Sequence, residues 1–122
     1  MVLWSEIKHF KQDEFRCKCC GKYFVKDDLI YMLDRARDLA GVSFKLNSAY
    51  RCQSYNKKVG GVKDSAHTKG LAVEIAAPDD CTRFSIVSAL LEVGFKRVLL
   101  YDTFIHCDID LDKPNPILKI MK

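Results

Sequence analysis

The chain has 122 residues, of which 48% are hydrophobic and 30% charged, with a formal net charge of +4. This length is enough for one domain that buries its own core, and we expect a single domain over residues 1–122. No apolar run approaches the roughly 20 residues of a membrane span, and the lysines are not interleaved with aromatic residues as in a nucleic-acid groove. We therefore expect neither a membrane nor a nucleic acid as partner.

Residues 1–16 lack a clear period, and we expect Phe10 and Phe15 to anchor this segment on the core. Cys17, Cys19 and Cys20 follow within four residues. Such crowding suggests a metal, but a structural zinc site usually needs two Cys-x-x-Cys pairs, and the second pair is missing. We therefore interpret the stretch as a compact turn with buried thiols. The six cysteines do not form a disulfide framework, and we expect them to be reduced.

The next segment combines a helix, a strand and a loop. From Asp27 to Ala40 apolar residues recur on one helical face, and Gly41 is a natural stop. Residues 42–46 alternate between apolar and polar, which predicts a strand, followed by a loop over 47–51. Residues 53–58 predict a short helix that ends before Gly60 and Gly61.

The second half of the chain contains most of the predicted sheet. We expect strands at 71–76, 96–101, 104–109 and 117–121, with a tight turn at Asp102 and Thr103. A helix is predicted over 82–93, and four of its apolar residues are expected to face inward: Phe84, Val87, Leu90 and Leu91. Two main helices on one face of a small, mostly antiparallel sheet make an α+β fold.

Glu74 lies in an apolar, strand-like run, where an unpaired carboxylate is costly to bury. A cation is therefore expected next to it. His67 stands seven residues earlier, and His106 lies in another strand-like run. Two histidines and one carboxylate, with a fourth position for water, make a standard catalytic zinc set. Asp108 shares a strand face with His106, about 7 Å along, from where it can orient a ligand histidine.

Spacing alone is also compatible with two arrangements that lack this metal site. In the first, His67 is a loop histidine, Glu74 an edge residue and His106 a hydrogen-bonded core histidine. In the second, the protein binds no metal, and Glu74 pairs with a cation such as Lys69 or Arg97.

Several segments, in their order along the chain, resemble a known family. They are Phe15-x-Cys17-Lys18-Cys19, Ser48-Ala49-Tyr50-Arg51-Cys52-x-x-Tyr55-Asn56-x-x-Val59-Gly60-Gly61, Ser65-x-His67-x-x-Gly70-x-Ala72-x-Glu74-Ile75, Phe104-Ile105-His106-x-Asp108 and Asp112-Lys113-Pro114. This arrangement resembles the zinc D-alanyl-D-alanine carboxypeptidases, which share their fold with the Hedgehog signalling domain. The resemblance is to the small phage and bacterial members.

The resemblance implies roles for individual residues. His67, Glu74 and His106 are expected to bind Zn²⁺. Arg51 stands where the family places a basic residue that binds substrate or stabilises the developing oxyanion. Ser65 is expected near the metal, in contact with substrate.

The chain departs from the family pattern at two positions. The family normally has Asp where this chain has Glu74, and the extra methylene moves the carboxylate by about one bond length. Well-known members also carry an acidic general base three residues before the last histidine ligand. Here that position is Thr103, so the catalytic carboxylate is expected to be Asp102 or Asp108.

The function that the resemblance implies is a zinc metallopeptidase that hydrolyses peptidoglycan peptides, as a carboxypeptidase or an endolysin-like cell-wall endopeptidase. The alternative is a catalytically impaired zinc-binding module of the same fold, with a binding or structural role. Residues 1–6 lack the pattern of a signal peptide. We therefore expect a monomer made in the cytoplasm that reaches the cell wall after phage lysis or within a virion.

Overall fold

A computed structural model describes residues 1–122. The helices are α1 (Asp27–Ala40), α2 (Gln53–Lys58) and α3 (Asp80–Glu92). The strands are β1 (Leu46–Ser48), β2 (Ala72–Ala76), β3 (Arg97–Leu100), β4 (Phe104–Asp108) and β5 (Ile117–Ile120). Short 3-10 turns lie at Trp4–Glu6, Gln12–Phe15 and Ala66–Lys69. The predicted α+β class is confirmed, and none of the helices is both long and apolar enough to cross a bilayer.

The five strands form one sheet in the order β1-β2-β4-β3-β5, in which only the β3–β5 pair is parallel. Strands β2 and β4 pair antiparallel, with Glu74 opposite His106 and Ala72 opposite Asp108. Because β2 lies between β1 and β4, Glu74 is not an edge residue. Directly opposed side chains on one sheet face are neighbours, so this register brings Glu74 and His106 together.

One face of the sheet is apolar and is covered by α1 and α3. Val73, Ile75, Ile105 and Cys107 point into this core and are fully buried. Successive side chains of a strand point to opposite faces. The alternating residues of β2 and β4, including Glu74, therefore lie on the face away from the helices.

The predicted bounds of α1 and the predicted anchors of the N-terminal segment are confirmed. Gly41 ends α1 with a φ of 69° and donates its N–H to the carbonyl of Arg37. Phe10 and Phe15 are buried, and their ring centroids lie 5.6 Å apart. The N-terminal residues therefore pack into the same core as the helices.

The predicted inward face of α3 is partly wrong. Phe84 is 74% exposed, and Leu91 is also exposed, whereas Ile86, Ala89 and Leu90 are buried. Apolar residues occur on several sides of this helix, so periodicity could not select its buried face. Packing against α1 and the sheet selects the side that carries Ile86 and Leu90.

The strand predicted at 42–46 is also misplaced, because β1 covers only Leu46–Ser48. Leu46 pairs with Ile75, and the backbone N–H of Ala76 donates to the carbonyl of Lys45. Continued pairing would run into Pro78, which has no N–H for a ladder. The alternation at 42–46 therefore reports burial, as at Phe44, rather than strand pairing.

Candidate metal centre

Two short elements and the interior of the sheet position the three candidate ligands. His67 lies in the 3-10 turn Ala66–Lys69, whose first N–H groups are capped by Ser65: its Oγ accepts from the N–H of His67 at 3.1 Å. Gly70 ends the turn with a φ of 72° and directs the chain into β2, which carries Glu74. His106 comes from the neighbouring strand β4.

The three side chains converge on one point. Ligand atoms of His67, Glu74 and His106 all lie within 4.8 Å of one another. His67 Nε2 is 3.5 Å from Glu74 Oε2, and the two imidazole rings are edge to face with centroids 5.2 Å apart. This is the arrangement that three ligands of one ion require.

His67 presents a buried nitrogen that no protein group satisfies. Its Nδ1 lies 2.7 Å from the carbonyl oxygen of Ala49, which can only accept, so Nδ1 carries the hydrogen. Nε2 is buried and has no hydrogen-bond partner. Burial lowers the pKa of His67, although Glu74 opposes the shift. A neutral imidazole with an unpartnered Nε2 lone pair is suited to a metal.

His106 is held in place by a buried carboxylate. Its Nε2 lies 2.6 Å from Asp108 Oδ2, which leaves Nδ1 as the nitrogen available to a metal. The other oxygen, Asp108 Oδ1, accepts from Arg97 Nε at 2.8 Å and from the backbone N–H of Asp110 at 3.0 Å. Burial alone raises the pKa of Asp108, but His106 and these donors outweigh it and lower the pKa. Asp108 is therefore charged, and both of its oxygens accept hydrogen bonds.

Glu74 forms an ion pair with Arg51. Arg51 Nη2 donates to Glu74 Oε2 at 2.7 Å, while Nε donates to Ser48 Oγ and Nη1 to Asn56 Oδ1. Burial tends to raise the pKa of Glu74, but His67 and Arg51 outweigh it and lower that pKa. The carboxylate is therefore ionised, and Arg51 holds it beside the two histidines.

The donor set fits zinc in type and spacing. Histidine nitrogen and carboxylate oxygen bind zinc at about 2.0–2.2 Å, so two tetrahedral ligand atoms lie roughly 3.3–3.5 Å apart. The 3.5 Å between His67 Nε2 and Glu74 Oε2 matches that spacing. The longer side chain of Glu74 thus still reaches the meeting point.

Some of the other predicted site residues line the cleft with the candidate ligands, and one lies outside it. Arg51, Ser65 and Asp108 line the same cleft as the three candidate ligands. Asp102 is exposed in the β3–β4 turn and is not among the lining residues, and the same holds for Thr103. The geometry thus separates the two carboxylates considered as general base.

In the alternative without a metal, Lys69 or Arg97 would pair with Glu74, but both side chains pair with other carboxylates. Lys69 Nζ lies 2.6 Å from the buried carboxylate of Asp110, and Arg97 pairs with Asp108. The cation on Glu74 is Arg51 instead. Neither pair considered for a metal-free site is present.

The cleft has a volume of about 320 Å³ and contains residues that the sequence analysis did not assign to the site. Tyr101, Lys113 and Met121 line it, together with Arg97. Burial and the charge of Glu74 raise the pKa of Tyr101, so its hydroxyl stays protonated at neutral pH. Tyr101 and Met121 carry no local signal, whereas Arg97 was considered as a partner of Glu74 and Lys113 lies in a segment that resembles the family. Strand pairing and the C-terminal segment bring all four to the cleft.

The interpretation of the cysteine-rich turn needs correction. Only Cys17 is buried, whereas Cys19 and Cys20 are exposed. Cys52, 35 residues beyond Cys17, joins them: its backbone N–H donates to Cys17 Sγ. All six cysteines are free thiols, as expected.

Comparison with known proteins agrees with this geometry. No curated protein matches the chain. The model of the peptidase M15 family matches residues 8–108, which include all three candidate ligands together with Arg51 and Asp108. The members of this family are zinc-dependent peptidases of the D-alanyl-D-alanine carboxypeptidase type. The chain therefore belongs to the peptidase M15 family.

Proposed function

We propose that this chain is a zinc metallopeptidase that hydrolyses peptidoglycan peptides. The observation that carries the proposal is the buried Nε2 of His67, which has no protein partner and faces Glu74 and His106. A buried nitrogen without a partner is costly, and a metal ion satisfies it. His67, Glu74 and His106 are the residues that would hold the zinc.

Zinc, when bound, polarises a scissile carbonyl and lowers the pKa of a bound water to about 7. The side chains of the cleft supply orientation. Asp108 fixes the ring of His106, and Arg51 fixes the carboxylate of Glu74. Because both oxygens of Asp108 already have donors, we assign this residue to positioning rather than to proton transfer.

Positioned cations line the cleft. Arg51, Arg97 and Lys113 are each paired with a carboxylate, of Glu74, Asp108 and Asp64 respectively. A cationic side chain held in this way can also bind the terminal carboxylate of a stem peptide. The protonated hydroxyl of Tyr101 is a hydrogen-bond donor for the oxyanion that forms during attack.

A second candidate function is zinc-dependent binding without hydrolysis. The lack of an unengaged carboxylate favours it, since Asp102 lies outside the cleft and both oxygens of Asp108 already accept hydrogen bonds. A domain of this kind would bind cell-wall peptides and leave them intact.

The test uses the reduced, zinc-loaded protein and two substrates: a stem pentapeptide that ends in D-Ala-D-Ala, and a cross-linked dimer of stem peptides. Chromatography measures the release of D-alanine from the first and of monomer from the second. The variant is His106→Ala, and the matched control is His9→Ala, which replaces a histidine on the N-terminal segment that pairs with Asp38.

The peptidase is supported if the wild type and His9→Ala hydrolyse the substrates and a folded His106→Ala protein does not. The binding module is supported if the zinc-loaded wild type binds the peptides saturably and forms neither product. Hydrolysis retained by His106→Ala contradicts both functions, because each requires the metal.

A further inference from the structure

A second group of metal-ligating side chains lies outside the cleft. The sulfur atoms of Cys17, Cys20 and Cys52 all lie within 4.8 Å of one another. Cys17 and Cys20 come from the turn after the 3-10 segment Gln12–Phe15, and Cys52 is the N-cap of α2. We call these residues, together with Cys19, the cysteine cluster.

Backbone N–H groups are directed at two of these sulfur atoms. The N–H of Cys52 donates to Cys17 Sγ, and the N–H of Tyr55 donates to Cys52 Sγ, both at 3.4 Å. Hydrogen bonds of this kind stabilise thiolates. Burial by itself raises the pKa of Cys17, but the backbone of Cys52, Cys20 and Cys19 outweighs it and lowers that pKa to about 7.

The turn that carries the cluster is closed by its own backbone. The N–H of Cys17 donates to the carbonyl of Lys22 at 2.8 Å, and the N–H of Gly21 donates to the carbonyl of Cys17 at 2.9 Å. Gly21 adopts a φ of 73°, which a side chain would disfavour. The sulfur atoms are therefore brought together by a defined loop.

Cys19 precedes Cys20 in the same turn, and its sulfur lies outside the three that are within 4.8 Å of one another. Partial desolvation and then the charges of Cys52 and Cys17 raise the pKa of its exposed thiol, so Cys19 lies beside the group. Lys58, at the end of α2, opposes that shift. A basic side chain beside several thiolates compensates the negative charge that a four-thiolate zinc site carries.

We propose that Cys17, Cys20 and Cys52, with Cys19 as the fourth ligand, form a structural zinc site separate from the cleft. Four thiolates are the donor set of closed, tetrahedral zinc sites. Zinc–sulfur bonds of about 2.3 Å place tetrahedral sulfur atoms roughly 3.8 Å apart, so the sulfur atoms of Cys17, Cys20 and Cys52, all within 4.8 Å, need only small adjustments. Cys19, next to Cys20, completes the set by turning its exposed side chain toward them. A disulfide would use two of the sulfur atoms and leave the others unexplained.

The site would fasten the N-terminal segment to the loop that carries Arg51. This loop already contacts both sides: the N–H of Tyr50 donates to the carbonyl of Phe15, and the N–H of Arg51 donates to the carbonyl of His67. Ala49, in the same loop, holds His67 Nδ1. Zinc at the cysteine cluster therefore stabilises the loop that positions Arg51 and His67.

Cobalt(II) distinguishes the two sites, because only thiolate ligands give an intense sulfur-to-cobalt charge-transfer band in the near ultraviolet. The reduced, metal-free full-length protein is titrated with cobalt(II). The variants are His67→Ala/His106→Ala, Cys20→Ser/Cys52→Ser and Cys20→Ser. Cys81→Ser is the matched control, since Cys81 is an exposed cysteine on α3.

We expect two cobalt ions per chain in the wild type and in Cys81→Ser. The His67→Ala/His106→Ala protein keeps one ion and the full charge-transfer band. The Cys20→Ser/Cys52→Ser protein loses the band and keeps one ion. Cys20→Ser removes only an exposed sulfur, so it remains informative if the double variant does not fold, and its band is weaker than that of the wild type.

The proposal is overturned if the His67→Ala/His106→Ala protein shows no band, or if Cys20→Ser leaves the band unchanged. It is also overturned if intact mass shows a disulfide among the four cysteines of the protein purified without reductant. None of these results depends on hydrolysis, so failure of this site and failure of the proposed peptidase remain distinguishable.

Discussion

Arg51 and Glu74 form a partly buried ion pair, with Nη2 and Oε2 2.7 Å apart, and the same carboxylate oxygen lies 3.5 Å from His67 Nε2. Arg51 thus holds a candidate metal ligand directly. Its three hydrogen bonds, to Ser48, Asn56 and Glu74, use the forked geometry of the guanidinium. Lysine cannot reproduce that fork.

The first prediction concerns the contact between Arg51 and Glu74. Arg51→Lys should weaken zinc binding at the cleft about 10–100-fold, because residues that orient metal ligands typically have effects of that size. The measurement is a competition titration with a chromophoric chelator. Arg35→Lys, an exposed arginine on α1, serves as control. If zinc affinity is unchanged and only KM rises, Arg51 contacts substrate rather than positioning Glu74.

The second prediction separates positioning from proton transfer at Asp108. Asp108→Asn should lower zinc affinity and kcat/KM together, each about 10–100-fold, because the ring of His106 loses its carboxylate. Asp112→Asn, on an exposed residue nearby, should change neither value. A loss of about 10²–10⁴-fold in kcat with full zinc affinity would instead identify Asp108 as a general base.

The third prediction concerns the turn between His67 and Glu74. Gly70→Ala places a Cβ at a φ of 72° and closer than van der Waals contact to the carbonyl oxygen of Phe24. Gly41→Ala has nearly the same φ of 69°, but nothing lies within 4 Å of its Cβ. The strain of the left-handed backbone, about 1–2 kcal/mol, applies to both variants.

We therefore expect Gly41→Ala to lower the free energy of unfolding only by that strain. Gly70→Ala should lower it by about 1–3 kcal/mol more, because its Cβ overpacks against the backbone. Urea unfolding gives both free energies of unfolding. Equal losses in the two variants would mean that the contact with Phe24 does not constrain Gly70.

The fourth prediction tests which face of α3 is buried. Ile86→Ala should lower the free energy of unfolding by about 2–5 kcal/mol, because it leaves a cavity in the core. Phe84→Ala, on the exposed side, should change it by less than about 0.5 kcal/mol. If Phe84→Ala lowered the free energy of unfolding more than Ile86→Ala in thermal or urea unfolding, the face favoured by periodicity would be the buried one.

Local sequence is sufficient where one segment contains the whole signal. Helix α1 has an apolar face, acidic residues at its start and Gly41 at its end, and these features predict its bounds correctly. The alternation in β4 places His106 and Asp108 on one face, and they are hydrogen-bonded there. The family resemblance comes from motifs such as Phe104-Ile105-His106-x-Asp108 and not from these periods, and the comparison supports it.

Contacts between distant segments require the tertiary structure. The pairing of β2 with β4 brings Glu74 to His106, and the loop before α2 brings Arg51 to Glu74 and Cys52 to Cys17. The two partners of Arg51–Glu74 are 23 residues apart and those of Cys17–Cys52 are 35 apart, so no local period records them. For the same reason, periodicity gives no sign that Asp102 lies outside the cleft.

The order of amino acids alone is enough to say which residues have the chemistry of a metal site and which strands alternate between polar and apolar. Folding in three dimensions selects which of those residues meet, which carboxylate already has donors and which side of α3 is buried. The difference arises because side-chain period depends on the local backbone, whereas contact between segments depends on strand register and loop closure, which long-range packing selects.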